Sequence, residues 1–138
     1  MTYAANTSVP VERSRAEIER TLTRYGAKSF AYFTEQGRAI IVFVANERRI
    51  RFDLPLPATT TEKDMKASRQ KWRALLLCIK AKLEAVEAKI ETFEEAFLAH
   101  VVLPDGMTMG QHAKPAIALA YKSGELPPLL PAPTKPST

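Results

Sequence analysis

The residues that could support catalysis or hold a metal are few, and their spacing suits neither task. The chain has two histidines, His100 and His112, and a single cysteine, Cys78. A zinc site needs three or four ligands, and no CxxC, HExxH or comparable carboxylate–histidine spacing is present. Cys78 lies in the apolar segment LLLCIKAKL, where a thiol usually packs as a small hydrophobic group. We therefore predict no catalytic residue, no metal site, no cofactor and no enzymatic activity.

Positive charge is the chemical feature that remains. The 138 residues include 20 Lys and Arg against 15 Asp and Glu, which gives a net charge of +5. Such a balance permits a polyanionic partner, since Lys and Arg bind phosphate through charge and an aromatic ring can stack on a base. The candidate nucleic-acid-binding residues are one aromatic residue and a set of cations: Phe33, Arg38, Arg48, Arg49, Arg51, Lys71, Arg73, Lys80 and Lys82.

Many of these cations belong to a long predicted helix between Met65 and Phe97. Apolar residues recur there at alternating spacings of four and three: Trp72, Leu76, Ile79, Leu83, Val86, Ile90, Phe93 and Phe97. This spacing places all of them on one stripe of a helix. Thr92 and Glu95 have the spacing of a capping box, so we expect the helix to break near Glu91 and to restart.

The other candidate residues fall in a predicted three-stranded meander between Lys28 and Leu54, a segment rich in aromatic and β-branched residues. Two-residue turns at Gln36-Gly37 and Asn46-Glu47 set the register. One face is then wholly apolar: Phe30, Tyr32, Ala39, Ile41, Phe43, Ile50, Phe52 and Leu54. The opposite face carries Ala31, Phe33, Ile40, Val42, Val44, Arg49, Arg51 and Asp53. Because a solvated sheet face is usually polar, this second face needs a covering layer from the same chain, a second subunit or a partner.

Shorter helices are predicted on both sides of these elements. Ser14 and Glu17 have capping-box spacing for a first helix, which Gly26 would end. Thr108 is a candidate cap for a last helix that Gly124 would stop.

The predicted fold class is α+β, with an N-terminal helix, a three-stranded antiparallel meander, a long amphipathic helix and then one or two short helices. Residues 1–12 are predicted to be an irregular arm, and residues 13–126 a single domain. Residues 127–138 form a proline-rich tail, which we expect to be extended or disordered. Pro115 is expected to limit how early the last helix begins.

Nothing in the composition suggests a membrane protein. No run of apolar residues is long enough to span a bilayer, and the first residues lack the pattern of a secretory signal. A lone cysteine is typical of a reducing compartment, so we expect a cytoplasmic protein with no membrane partner.

Several stretches together resemble a known family. VPVERSRAEIERTLTRYGAKSFAY, RRIRFDLPLP, KWRALLLCIKAKLEAVEAKIETFEEAFLAHVVLPDG and the following TMGQ are similar to small uncharacterised proteins of phages and prophages. The resemblance implies a phage-encoded protein that acts in the bacterial host cytoplasm, either handling DNA or disabling a host protein. His112 stands where that family's pattern has an aromatic residue, often Trp, which argues against a ligand role for this histidine.

Binding is the function class that these observations favour. We expect a phage accessory protein that binds nucleic acid without sequence specificity through a basic surface, during replication or recombination. Single-stranded DNA is slightly preferred because of the aromatic sheet. The alternatives are a protein-interaction module that inhibits a host enzyme or defence complex, and an oligomeric structural phage protein. A homo-oligomer is expected, since the long helix has a basic first half and an acidic second half that could pair antiparallel with a copy of itself.

Overall fold

A computed structural model describes residues 9–130, in which a small sheet is preceded and followed by helices. The elements are α1 (Val11–Arg24), β1 (Ser29–Glu35), β2 (Arg38–Ala45), β3 (Arg48–Pro55), α2 (Glu62–Glu87), α3 (Phe93–Ala96), a 3-10 turn (Leu98–His100) and α4 (Met109–Ser123). The predicted α+β fold and its element order are confirmed. The predictions for residues 1–8 of the arm and 131–138 of the tail lie outside the described residues.

The sheet is an antiparallel meander in the order β1-β2-β3, with the predicted register. Phe30 pairs with Phe43, and Ile41 pairs with Phe52. The second turn contains Asn46 at φ 53° and Glu47 at φ 62°. A two-residue hairpin turn with left-handed residues matches the twist of the flanking strands, and this local geometry explains why the register could be predicted.

The wholly apolar face, here called the inner face, is the side of the sheet that contacts the core. Its residues on the central and third strands are buried: Ala39, Ile41, Phe43, Ile50, Phe52 and Leu54. Phe30 is only partly buried and Tyr32 is 42% exposed, because β1 is an edge strand. Helices α1 and α2 complete the core with Ile18, Leu22, Trp72, Leu75, Leu76, Ile79 and Leu83.

The predicted apolar stripe is confirmed at every member except Ile90, since Val86 and Phe93 pack against the core and Phe97 is fully buried in it. Ile90, expected within the stripe, is 77% exposed. The helix ends at Glu87, and Lys89 adopts a left-handed conformation with φ 63°, so the helical periodicity does not continue to Ile90. The predicted capping box of Thr92 and Glu95 is present and begins α3, which confirms the break and restart.

The predicted start of the first helix is wrong. Helix α1 begins at Val11 with Pro10 as its N-cap, so it includes residues that the sequence assigned to the arm. Ser14 lies inside the helix, where its backbone N–H donates to the Pro10 carbonyl at 3.2 Å. The physical reason is that Ser14 stands one helical turn before Ile18 and is buried on the same stripe. The predicted stop at Gly26 agrees with its φ of 94°.

The segment after α3 runs along the edge of β3 and then enters α4. Val101 forms an antiparallel bridge with Ile50, and the Val102 N–H donates to the Arg49 carbonyl at 2.8 Å. Thr108 caps α4, as predicted, and Gly124 ends it at φ 76°. Pro115 lies within α4 and does not delay its start, which corrects the expectation for this proline. No helix in residues 9–130 is both long and apolar enough to cross a membrane.

Candidate binding surface on the outer face of the sheet

The side of the sheet opposite α1 and α2 is here called the outer face. In the described part of the chain it is open to solvent over β1, whereas the turn before α4 contacts it at Arg51. Phe33 on β1 is 58% exposed. The aliphatic side chains of the central strand, Ile40, Val42 and Val44, are only partly buried. A central strand is normally covered on both faces or polar on one, so an aliphatic stripe in this position is a candidate contact surface.

The strand register arranges this face in three parallel columns. Phe33 and Ala31 on β1 flank the aliphatic stripe on one side. Arg49, Arg51 and Asp53 on β3 flank it on the other, with Asp53 in the row of Phe33 and Arg51 in the row of Ala31. Since neighbouring strands lie about 4.8 Å apart, the aromatic and cationic columns are roughly 10 Å apart. An aromatic ring, an apolar strip and guanidinium groups therefore lie within reach of one extended ligand.

The two arginines of the outer face differ in their surroundings. The guanidinium of Arg51 donates from Nη1 to the Gly106 carbonyl at 2.8 Å and from Nη2 to Gln111 Oε1 at 2.9 Å. Its Nε lies 3.8 Å from Asp53 Oδ1. Arg49 is exposed, and its side chain makes no hydrogen bond or ion pair within residues 9–130. Arg49 is thus the outer-face cation whose charge is available to a ligand.

Two other predicted arginines of the sheet are paired with carboxylates. Arg38 lies on the outer face beside the first turn, with its Nε 3.0 Å from Glu35 Oε2. Arg48 belongs to the inner-face side of β3, and its Nε lies 2.7 Å from Glu94 Oε1 of α3. The hydrogen bond and negative charge of Glu94 raise the pKa of Arg48 above its usual value. Both arginines are partly neutralised before any ligand arrives.

The predicted cations of α2 lie elsewhere, because α2 covers the inner face. Arg73 Nη1 is 3.4 Å from Glu17 Oε2 on α1, and Lys80 Nζ is 3.7 Å from the same oxygen. Lys82 Nζ donates to the Ala96 carbonyl at 2.9 Å. Lys71 is exposed on the helix surface.

The structure therefore separates the candidate residues into two groups. The sheet lies between the outer-face arginines and the α2 cations, so they do not form the single positive surface that sequence proximity suggested. The outer face brings together Phe33, Arg38, Arg49 and Arg51. Of these, Phe33 and Arg49 are exposed without a competing partner among the described residues.

The structure also contains a cleft that the sequence analysis did not predict. The cleft, of about 600 Å³, lies between the start of α1, the first hairpin turn, the segment after β3 and the start of α2. On its wall, the Arg15 guanidinium carbon lies 4.5 Å from the ring centroid of Tyr32 and 5.6 Å from that of Trp72. Arg69 also lines the cleft, and its Nε is buried with no hydrogen-bond partner among the described residues. Arg69 stands three residues before the buried Trp72, so the two side chains are neighbours on one face of the helix. This spacing could have indicated a cation at the cleft.

A carboxylate–imidazole pair joins the turn before α4 to the first part of that helix. His112 Nε2 lies 2.6 Å from Asp105 Oδ2. The pKa of Asp105 is lowered mainly because its carboxylate accepts a hydrogen bond from the Met107 backbone N–H, with His112 contributing further. Within residues 9–130, no group of three or more His, Cys, Asp or Glu side chains is placed to hold a metal ion.

The apolar neighbours of Cys78 in the sequence predicted a thiol packed in the core. In the structure Cys78 is instead exposed on α2.

Comparisons of the chain with profiles of protein families, with curated proteins and with solved structures gave no match. The resemblance to phage proteins therefore stays a prediction.

Proposed function

We propose that the protein is a nucleic-acid-binding module that takes a single strand on the outer face of its sheet. The observation that supports this function most directly is the exposed ring of Phe33 on the same face as the unpaired guanidinium of Arg49. Flat aromatic rings stack on bases of any sequence, and arginines neutralise phosphates. The expected binding is therefore sequence-tolerant and salt-dependent.

The three columns of the outer face suit a single strand better than a duplex. Bases can stack on Phe33 and lie along the stripe of Ile40, Val42 and Val44, while the backbone follows the arginines of β3. A duplex stacks its base faces inside and presents phosphates and groove edges, which would leave the aliphatic stripe and the Phe33 ring without a flat base to contact. In keeping with the resemblance, the proposed setting is phage DNA replication or recombination in the bacterial cytoplasm.

The test is a titration of labelled single- and double-stranded oligonucleotides of the same sequence at two salt concentrations. We expect tighter binding of the single strand, with affinity that falls as salt rises. Absence of binding at low salt, or affinity that is indifferent to salt, would overturn the proposal. Phe33→Ala should weaken single-strand binding by about tenfold, because one stacked base contributes roughly 1–3 kcal/mol.

A matched pair of charge reversals tests the location of the site. Arg49→Glu and Lys71→Glu each change the net charge by the same amount, and both residues are exposed. They lie on opposite sides of the sheet, so only Arg49→Glu should abolish tight binding. Equal losses in the two variants would indicate attraction by net charge without a defined face, and a larger loss for Lys71→Glu would move the site to α2.

A protein-interaction module, acting on a host enzyme or defence complex, is the second candidate function. It is favoured by the carboxylates beside Arg38, Arg48, Arg73 and Lys80, which reduce the free positive charge, and by the aliphatic stripe of β2. Capture from nuclease-treated host lysate distinguishes the two functions. A stoichiometric protein that is lost with Val42→Glu, and an absence of oligonucleotide binding, would support this candidate.

A further inference from the structure

Strand β1 is the open edge of the sheet. In the part of the chain that the structure describes, the order β1-β2-β3 leaves one side of Ser29–Glu35 without a neighbouring strand, whereas the edge of β3 is bridged by Val101. Within residues 9–130, no backbone hydrogen bond outside the β1–β2 ladder reaches a residue of β1. An uncovered edge presents a row of N–H and C=O groups that can pair with another strand.

The hairpin geometry determines which residues face this open edge. Glu35 and Arg38 flank the two-residue turn and form the hydrogen-bonded pair nearest to it. Bonded and non-bonded pairs alternate along an antiparallel ladder. The backbone groups of Phe30, Tyr32 and Thr34 are therefore directed away from β2.

The strand also lacks the features that usually protect an edge from self-association. Its sequence, SFAYFTE, contains no proline or glycine and has a single charge, at its last position. Tyr32 is 42% exposed and Phe33 is 58% exposed, so apolar surface accompanies the free backbone groups. Edge strands of monomeric proteins are typically shortened, bulged or charged, and β1 is none of these over its seven residues.

We propose that β1 pairs antiparallel with β1 of a second copy of this chain, about a twofold axis at Tyr32. In this register, Phe30 of one subunit is opposite Thr34 of the partner subunit. The outward-directed backbone groups then form about six hydrogen bonds between the subunits. The meanders join into one continuous sheet, and the two outer faces become a single surface.

The side chains of β1 are self-complementary in this register. Glu35 lies opposite Ser29 of the partner subunit, so the like charges of the strand are kept at opposite ends of the interface. Phe33 lies opposite Ala31 of the partner subunit, where a small side chain leaves room for the ring. Tyr32 lies opposite Tyr32 of the partner subunit, on the inner face of the joined sheet. An edge interface is small, so the dimer is expected to dissociate on dilution through the micromolar range.

The first experiment is sedimentation velocity of the full chain over a dilution series without nucleic acid. A shift from a mass near 15.4 kDa to twice that mass is expected as concentration rises. A chain that stays monomeric at every concentration overturns the proposal. Because no nucleic acid is present, this result is independent of the proposed DNA binding, and either proposal can fail alone.

Two substitutions at one exposed position test the register. Ser29→Glu places a carboxylate opposite Glu35 of the partner subunit, twice by symmetry, and should weaken the dimer by about fivefold. Ser29→Lys places an ammonium group opposite the same carboxylate and should strengthen the dimer by a similar factor. Equal effects of the two variants, or no effect of either, would exclude this pairing.

A third variant tests the backbone hydrogen bonds directly. Tyr32→Pro removes an N–H that points to the open edge, while the bonds to β2 are made by the residues on either side of it. Loss of the dimer with an unchanged far-ultraviolet circular dichroism spectrum is expected. A variant that remains folded and dimeric would show that the interface lies elsewhere on the chain.

Discussion

Arg51 on β3 donates a hydrogen bond of 2.8 Å to the carbonyl oxygen of Gly106, in the turn that precedes α4. The same guanidinium donates to Gln111 Oε1, which also accepts the Thr108 N–H in the capping box of α4. One outer-face arginine therefore stabilises the connection between the sheet and the last helix. Its neighbour on the same face, Arg49, has no such structural contact among the described residues.

We expect Arg51→Ala to lower the free energy of unfolding by about 2 kcal/mol, since hydrogen bonds to charged groups contribute roughly that much. Arg49→Ala, on the same strand and face, should change it by less than about 0.5 kcal/mol. Urea denaturation followed by tryptophan fluorescence measures both. A loss for Arg49→Ala as large as that for Arg51→Ala would contradict the assignment of different roles.

Because α2 ends at Glu87, substitutions at Leu83 and at Ile90 should differ in their effect on stability. Leu83 is 2% exposed and Ile90 is 77% exposed, although both belong to the same apolar repeat in the sequence. Leu83→Ala should cost about 2–5 kcal/mol through loss of burial and a residual cavity. Ile90→Ala should be nearly neutral in the same denaturation experiment. A loss of stability comparable to that of Leu83→Ala would show that Ile90 is buried in the core.

Thr92 and Ser14 both have capping-box spacing in the sequence, but their replacement by alanine should change the stability of the protein in opposite directions. The Thr92 side chain accepts the Glu95 backbone N–H at 3.1 Å, so Thr92→Ala should destabilise the protein by about 1 kcal/mol. Ser14 is fully buried inside α1, and its Oγ has no hydrogen-bond partner among the described residues. Ser14→Ala should therefore be neutral or stabilising, because it removes a buried polar atom and introduces a better helix former. Thermal melts of the two variants provide the comparison.

Stability should decline in mild acid because of His100. Its ring stacks on Phe52 with centroids 4.0 Å apart, and burial together with the nearby Lys82 charge lowers the pKa of this imidazole below 6.5. A hydrogen bond to the Arg51 backbone and the charge of Asp53 oppose this shift without overcoming it. Below pH 6.5 the unfolded chain binds a proton more readily than the folded protein does, so protonation favours unfolding.

The measurement is the urea midpoint between pH 7.5 and pH 5 for the wild type and for His100→Phe, which keeps an aromatic ring against Phe52. The wild type should lose stability as the pH falls through the folded-state pKa of His100. The variant should lose less over the same interval. Parallel curves for the two proteins would assign the acid sensitivity to other groups.

Local patterns in the sequence determined most of the fold. The register of β1, β2 and β3 follows from strand alternation and two-residue turns, both of which act over a few neighbouring residues. The cap at Thr92 and the stop at Gly124 were likewise readable, because each depends on the conformation of one turn. The start of α1 was misjudged, since capping-box spacing alone does not reveal that Ser14 is buried against another helix.

The candidate site depended on information that only the tertiary structure contains. Arg49 and Lys71 are close in sequence, yet they lie on opposite sides of the sheet because α2 buries its apolar stripe against the inner face. The packing of α1 and α3 beside α2 also determines which carboxylates neutralise Arg48, Arg73 and Lys80. Hydrophobic burial is non-directional along the chain and is satisfied only when all elements are assembled, so the placement of the charges could not be predicted from local spacing.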